Sequence, residues 1–387
     1  VSKQMLEQVL RELQPLCTAE QQFIEKFFQL SQDTTDLQVL EVSVRTKSSP
    51  GQCPPHLTFF IFLRLEEPTS RLLSEIFSCL EPELRGFLDV CHKVHPFSCL
   101  WVLVTLSDSI FEMWGSSSAL PSSFLNTVLG NMLLLAKSSF NKCIGTLCKE
   151  IEEAKMPSKM RGGILPSVSR FEEFVDFSEE VFRTARRRGE LDKAHLRLAG
   201  SVFSSIESLS SANLKVNTDM VMMENFHHIH CFLCQKKLHC LESKKREAKQ
   251  RYSEHMEKYV TKYLGQPLEK LNHFFEGVKA RMAQGVKEEE VSFHLAYSKQ
   301  ELRKVIEKYP GKEVKRALET LYRKIHKHLS LEENLLPVVW HAMEQEFIRQ
   351  YQEFEALIQC CYPGSGITMD FTTEDLLSYF NSITLSN

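Results

Sequence analysis

Between Pro166 and Pro267 the chain has no proline, and between Ser201 and Leu264 it has no glycine either. More than sixty consecutive residues without either helix breaker, rich in Met, Leu, Lys and Glu, leave the backbone little alternative to helix. The stretch predicts one very long helix, or two joined at the Ser-rich "SSIESLSSAN".

Downstream of "LGQPLEK" apolar side chains recur at steps of three and four: Leu268, Leu271, Phe275, Val278 and Met282, then Val314, Leu318, Leu321, Ile325 and Leu329. A third stripe follows at Leu336, Trp340, Met343, Phe347, Tyr351, Phe354 and Ile358, and a short last one at Leu376, Phe380 and Ile383. Each stripe is one face of an amphipathic helix. Gly265 with Pro267, Gly285, Pro310 with Gly311, and "CYPGSG" separate them. Pro337 fits a first helical turn if Asn334 caps it, and a Thr cap is expected for "TTEDLLSYFNSI". Helices of roughly 20 residues are about 30 Å long, and short connections force successive ones antiparallel. The expected fold is therefore all-α, an elongated rod of stacked antiparallel helical bundles.

Nearer the N-terminus, Met5 to Leu30 is helical in pattern, with a capping box suggested by "TAEQ", Thr18 capping and Gln21 reaching back. Residues 33–68 break the rhythm: "LQVLEVSVRTK" and "LTFFIFLRL" have strand-like composition around "SSPGQCPP", consistent with a hairpin or a docked loop. Helical pattern returns at Ser70 and runs, with one break between Gly115 and Pro121, to Glu153. Within it, "PFSCLWVLVTLSDSIFEMW" includes Asp108 and Glu112, which favours a buried helix over a membrane span. "KMPSKMRGGILP", residues 155–166, reads as a linker. The expected organisation is a first bundle at 1–155 with an irregular insertion at 33–68, a middle bundle at 167–264 and a C-terminal bundle at 265–387.

With 387 residues the chain exceeds the size at which single cores stop growing. Its 12 Cys follow no small-domain disulfide framework and point to a reducing, cytosolic compartment. Val1 stands where an initiator Met would, so a fragment is expected. The net charge of −3 conceals an asymmetry. Residues 241–330 hold 21 Lys and Arg against 13 Asp and Glu, whereas 331–387 hold Arg349 against nine acids. The two segments could attract each other, or separately an anionic surface and a basic protein.

The densest chemistry lies in "NFHHIHCFLCQKKLHC", residues 225–240. On a helix His227, His230, Cys231 and Cys234 share a face. Seven residues nevertheless span about 10.5 Å along a helix axis, and zinc needs its four donors within roughly 2.0–2.3 Å of one point. The segment also has no Gly or Pro with which to turn, and Met222, Phe226, Ile229, Leu233 and Cys240 read as a buried stripe. No metal or cofactor site is therefore assigned, with a half-site at His227, Cys231 and Cys234 kept as the alternative. The basic run at 244–262 offers Lys244, Lys245, Arg246, Lys249 and Arg251 as candidate contacts to an anionic surface. Interleaved Glu247, Glu254 and Glu257 favour a solvated, ion-paired face. Arg183, Arg186, Arg187 and Arg188 before Gly189 read as a helix C-terminus. Neither a phosphate-binding glycine loop nor a nucleophile elbow or H-E-x-x-H pair is found, so no enzyme, small-molecule substrate or nucleic-acid partner is expected.

"MENFHHI", "LGQPLEKLNHFFEGVKARMAQG", "EEEVSFHLAYSKQELRKVIEKYPGKEVKRALETLYRKI" and "EENLLPVVWHAMEQEFIRQYQEFEALIQCCYPGSGITMDFT" closely resemble the C-terminal part of the exocyst component 1 family. "CTAEQQFIEKFF", "CLEPEL" and "GILPSVSRFEEF" extend the likeness to most of 1–32 and 70–387; 33–68 departs from it, and "HCFLCQKKLHC" is unusually rich in Cys and His. The resemblance implies a helical-rod, non-catalytic scaffold subunit that tethers secretory vesicles to the plasma membrane before SNARE-mediated fusion. Its implied partners are other exocyst subunits and the vesicle and SNARE machinery, and its implied location is cytoplasmic, peripheral at the plasma membrane. The family's lipid- and GTPase-binding N-terminal domain has no counterpart in these residues. Two alternatives stand beside this reading: direct anionic-lipid binding through 241–330, and metal binding at His227, Cys231 and Cys234.

Overall fold

A computed structural model describes residues 2–28, 68–95, 97–115, 123–155, 162–212, 217–330 and 333–386. Every regular element among the described residues is helical, in agreement with the all-α expectation. The irregular stretch expected at 33–68 lies outside them apart from Pro68, as do residues 156–161 of the linker.

The chain divides into two compact units, one of Val1–Leu147 with Phe174–Ala194, the other of Cys148–Glu173 with His195–Asn387. In the first unit, α1 (Ser2–Phe27) turns Leu6, Leu10, Leu13, Cys17 and Ile24 inward at helical spacing. It packs on α2 (Pro68–Ile76) and, past α3 (Leu80–Val94), on α4 (Ser98–Gly115). The capping box expected at Thr18 does not form. Helix α1 runs through it, and the Thr18 hydroxyl donates back to the Gln14 carbonyl at 2.8 Å, a bond open to Thr inside a helix. Pro15 also sits within α1, where its missing N–H forfeits one rung of the ladder. As expected, the most apolar stretch is a buried helix: Leu100, Val102, Leu103, Val104 and Leu106 are buried along α4.

Helix α5 (Ser123–Glu152) follows, then α6 (Pro166–Val181) and α7 (Gly189–Ala212). Gly189 thus opens α7; it does not close the arginine-bearing segment, as its spacing suggested. Arg186 instead caps inter-element contacts, its N–H on Asp108 at 3.2 Å and its guanidinium 5.2 Å from the Phe111 ring.

In the second unit the long breaker-free stretch is interrupted twice. Helix α8 (Thr218–Lys236) starts after "SSAN" with Asn217 as cap, its side chain accepting from the Met220 N–H at 3.1 Å. It ends at Lys237, which takes the left-handed conformation (φ 52°, ψ 39°) and returns its N–H to the Leu233 carbonyl. A 3₁₀ turn over His239–Leu241 then reverses the chain into α9 (Glu242–Leu264), which packs along α8 as a helical hairpin. The expectation that this segment could not turn is corrected: a lysine in the left-handed region does what glycine would. Cys240 accordingly lies beyond the helix whose stripe it was assigned to. Met222, Phe226, Ile229 and Leu233 are buried as expected.

Helices α10 (Glu269–Ala283), α11 (Lys299–Ile306), α12 (Gly311–His328), α13 (Leu336–Cys361) and α14 (Thr373–Ser386) complete the unit. The predicted stripes form its core except at Met282 and Leu336, which are half-buried, with Phe275 stacked on Phe354 at 4.7 Å and Trp340 against Phe380 at 4.7 Å. Burial of each such side chain contributes about 1.5–3 kcal/mol. Pro337 lies in the first turn of α13 as expected, but Leu335 is the cap residue, and Asn334 adopts φ 48° before it. Thr372 and Asp375 form a reciprocal capping box on α14, the Asp375 carboxylate accepting from the Thr372 N–H at 2.9 Å and the Thr372 hydroxyl from the Asp375 N–H at 3.2 Å.

Candidate functional site

Helix α8 carries two kinds of polar group, and burial separates them. Its outer edge bears His227, His230, Cys231 and Cys234. Each thiol faces the imidazole one turn back, Cys231 Sγ 3.6 Å from His227 Nε2 and Cys234 Sγ 3.6 Å from His230 Nε2. Among the described residues no three His, Cys, Asp or Glu side chains converge as a metal ion requires. Burial, with the nearby Cys234 and Glu333, pushes the Cys231 thiol up, away from the thiolate that binds metal. His227 also lies against the Tyr252 ring at 5.0 Å.

Three of the five candidate basic residues on α9 meet acidic partners. Lys244 pairs with Glu247 at 2.8 Å and Lys245 with Glu242 at 2.7 Å. Arg251 pairs with Glu207, and with Glu247 at 3.4 Å. The Lys244 ammonium lies 4.8 Å from the Phe203 ring centroid and the Arg251 guanidinium 5.8 Å from that of Phe226. Arg246 and Lys249 remain exposed. Of the interleaved glutamates Glu247 forms ion pairs, with Lys244 and Arg251, whereas Glu254 accepts from Gln250 at 2.8 Å.

The inner face of α8 holds Glu224 and Asn225, both 0% exposed. Asn225 Oδ1 accepts from the Leu165 N–H at 2.8 Å, and Nδ2 donates to the carbonyls of Gly163 at 3.2 Å and Val221 at 2.9 Å. Glu224 accepts from the backbone N–H groups of Gly163, at 2.8 Å, and of Ser330. Burial pushes the Glu224 carboxyl up; its two backbone hydrogen bonds oppose that, and the Glu333 charge adds to it. One turn of α8 thus ties the 162–165 segment to the end of α12.

His228 extends the tie sideways. Its Nε2 lies 2.7 Å from Glu172 on α6 and its Nδ1 2.7 Å from Glu333 just before α13. With both nitrogens donating to carboxylates the ring is an imidazolium. The two hydrogen bonds, against the cost of burial, raise its pKa to about 10. Burial would raise Glu333, yet the imidazoles of His227 and His228 hold it at about 2. Such a cation neither ligates metal nor exchanges protons near pH 7. It fixes α6, α8 and the α12–α13 connection to one another.

A third feature is an open groove of about 1620 Å³ between α9, α10 and α13, floored by Val260, Phe275 and Phe354. Lys279 and Glu353 pair across it. Together with the bond from the Gly311 N–H to Asp370 at 3.0 Å, this pair brings the basic 241–330 and acidic 331–387 segments into contact.

Of the sequence-predicted candidates, Lys244, Lys245 and Arg251 are brought to acidic partners, and His227 and Cys231 to each other. Glu172, Glu224, Asn225 and Glu333 were missed. Glu224 and Asn225 were detectable as polar residues at core-facing positions of an otherwise apolar helix face. Glu172 and Glu333 carried no local signal.

The model of the family described as exocyst complex component Sec3, C-terminal, matches residues 64–364. The chain is 49% identical over 390 residues to exocyst complex component 1 of Mus musculus, covering 99% of this chain and 43% of that protein. It is 41% identical over 397 residues to exocyst complex component 1 of Drosophila melanogaster, covering 99% and 44% respectively. Exocyst complex component SEC3A of Arabidopsis thaliana is 23% identical over 334 residues, 86% of this chain and 35% of that protein. The chain therefore spans less than half the length of these relatives. No solved structure matches it.

Proposed function

The chain belongs to the Sec3 C-terminal family of exocyst complex components, and on that premise we propose that it forms the helical C-terminal part of a non-catalytic exocyst subunit. In this reading it holds other exocyst subunits while the assembly tethers secretory vesicles to the plasma membrane ahead of SNARE-mediated fusion. The carrying observation is collinearity: 49% identity is sustained over 99% of the chain with a protein named as an exocyst component. The polar chemistry of the second unit supports it, because Glu224, Asn225 and the Glu172–His228–Glu333 tie all bind helices and connections to one another.

The subunit works in the cytoplasm, peripheral to the plasma membrane. No helix among the described residues is long and apolar enough to cross a membrane. The anionic-lipid alternative gains little from the basic run, since Lys244, Lys245 and Arg251 already pair with acids. Acute depletion tests the reading. Secretory vesicles should accumulate undocked beneath the plasma membrane and dock again when the protein is restored; normal docking in depleted cells refutes it.

A further inference from the structure

Between α10 and α11 the chain passes through two 3₁₀ turns, Glu288–Phe293 and Leu295–Tyr297. Both sides of this connection are anchored. Val291 is 0% exposed. The Tyr297 ring meets Phe274 edge-on at 5.6 Å and lies so close to Gly277 that a Cβ there would be 2.3 Å from its hydroxyl oxygen. The Tyr297 carbonyl accepts a hydrogen bond from the Tyr362 hydroxyl at 2.7 Å.

Between these anchors Phe293 is 84% exposed and Leu295 89%. Single exposed apolar side chains are ordinary on a protein surface. Two of them, two positions apart on a turn pinned at both ends, form a preorganised projection, and preorganisation reduces the ordering cost of binding. The same turn bears Glu288, Glu289 and Glu290, all exposed and, among the described residues, without an ion-pair partner. Residues three apart eclipse in a 3₁₀ helix, so Glu290 stands on the edge that carries Phe293. Lys287 and Lys299 lie only at the two ends of the segment. Carboxylates beside the apolar pair oppose an anionic bilayer and complement a basic protein surface.

The geometry points to a docking knob: Phe293 and Leu295 seat in an apolar pocket, rimmed by Lys or Arg, on a sister exocyst subunit. This assignment rests on the exocyst reading above and names one contact between this part of the subunit and a sister subunit.

The test uses the full-length subunit and the other exocyst subunits, each purified, with affinities measured pairwise and in the assembled complex. Two variants are compared with wild type, F293A/L295A and E288K/E289K/E290K. The changed side chains are exposed, so both variants should keep the wild-type circular dichroism and melting curve. Each is expected to weaken binding to one and the same subunit ~10- to 100-fold, and the wild-type contact should weaken as salt rises. Wild-type binding by both variants overturns the docking knob and leaves the exocyst reading standing. Failure of the wild-type protein to bind any subunit overturns both. Unchanged subunit binding with loss of binding to phosphatidylserine-containing vesicles in F293A/L295A overturns it in favour of a membrane.

Discussion

Replacing Asn225 with Ala removes three hydrogen bonds, two of them fully buried and the one to Gly163 partly so. Its side chain accepts from the Leu165 N–H and donates to the Gly163 and Val221 carbonyls. Val221 lies inside α8, where the helix ladder serves its carbonyl. The Leu165 N–H and the Gly163 carbonyl lose the partner that Asn225 supplies. A buried polar group left unpaired costs about 1–3 kcal/mol, so N225A should destabilise the second unit by about 2–5 kcal/mol, against a typical domain stability of about 5–15 kcal/mol. Because the chain has two compact units, a single two-state fit is not licensed, and urea unfolding should be read together with hydrogen exchange at the Leu165 amide. The expected result is an earlier transition for the second unit and much faster exchange at Leu165. N225D keeps the acceptor, loses the donor and buries a carboxyl group, so its folded pKa lies above the unfolded one. Its deficit should therefore grow as pH rises past about 3.9. An N225A protein within about 0.5 kcal/mol of wild type, with unchanged exchange at Leu165, would refute the argument that this amide holds the 162–165 segment.

Three further outcomes follow from the same physics. His228 is raised from 6.5 to about 10, so its stabilisation is whole below pH 6.5 and disappears as pH climbs through about 10. Glu333 is lowered from 4.5 to about 2, so its share is whole above pH 4.5 and is lost as pH falls through about 2. H228Q should flatten the alkaline limb of Tm against pH, and an unaltered limb contradicts the imidazolium tie. K237G should stabilise the α8–α9 hairpin by about 1 kcal/mol, since a side chain at positive φ carries a steric cost of roughly that size; K237V should do the reverse, both read by urea unfolding. T372A removes the capping hydroxyl of α14 and should cost about 1 kcal/mol, seen as faster amide exchange over Thr373–Phe380; unchanged protection there would mean that packing alone holds the helix end.

What the sequence made legible was periodicity. The stripes through Phe275, Leu318, Phe347 and Phe380 are buried faces in the structure because apolar burial and the 3.6-residue repeat are both local properties. Turns that depend on one backbone conformation were not legible. Lys237 reverses the chain at φ 52°, and nothing in the composition of "QKKLHC" announces it. The capping signal at Thr18 misled because a hydroxyl can bond forward to an N–H or back to a carbonyl, and inside α1 it bonds back to Gln14. The tie from His228 to Glu333 joins positions 105 residues apart, beyond any local pattern. His228 was visible only as one member of a crowded His/Cys run, whereas its partners fix its role as a structural cation.

Sedimentation of the endogenous protein from gently lysed cells tests the central claim most directly. An exocyst subunit should migrate far faster than its own mass allows, in one particle with the other exocyst subunits at equal stoichiometry. Migration as a lone chain, with the remaining subunits assembled in fractions that lack it, would contradict the account.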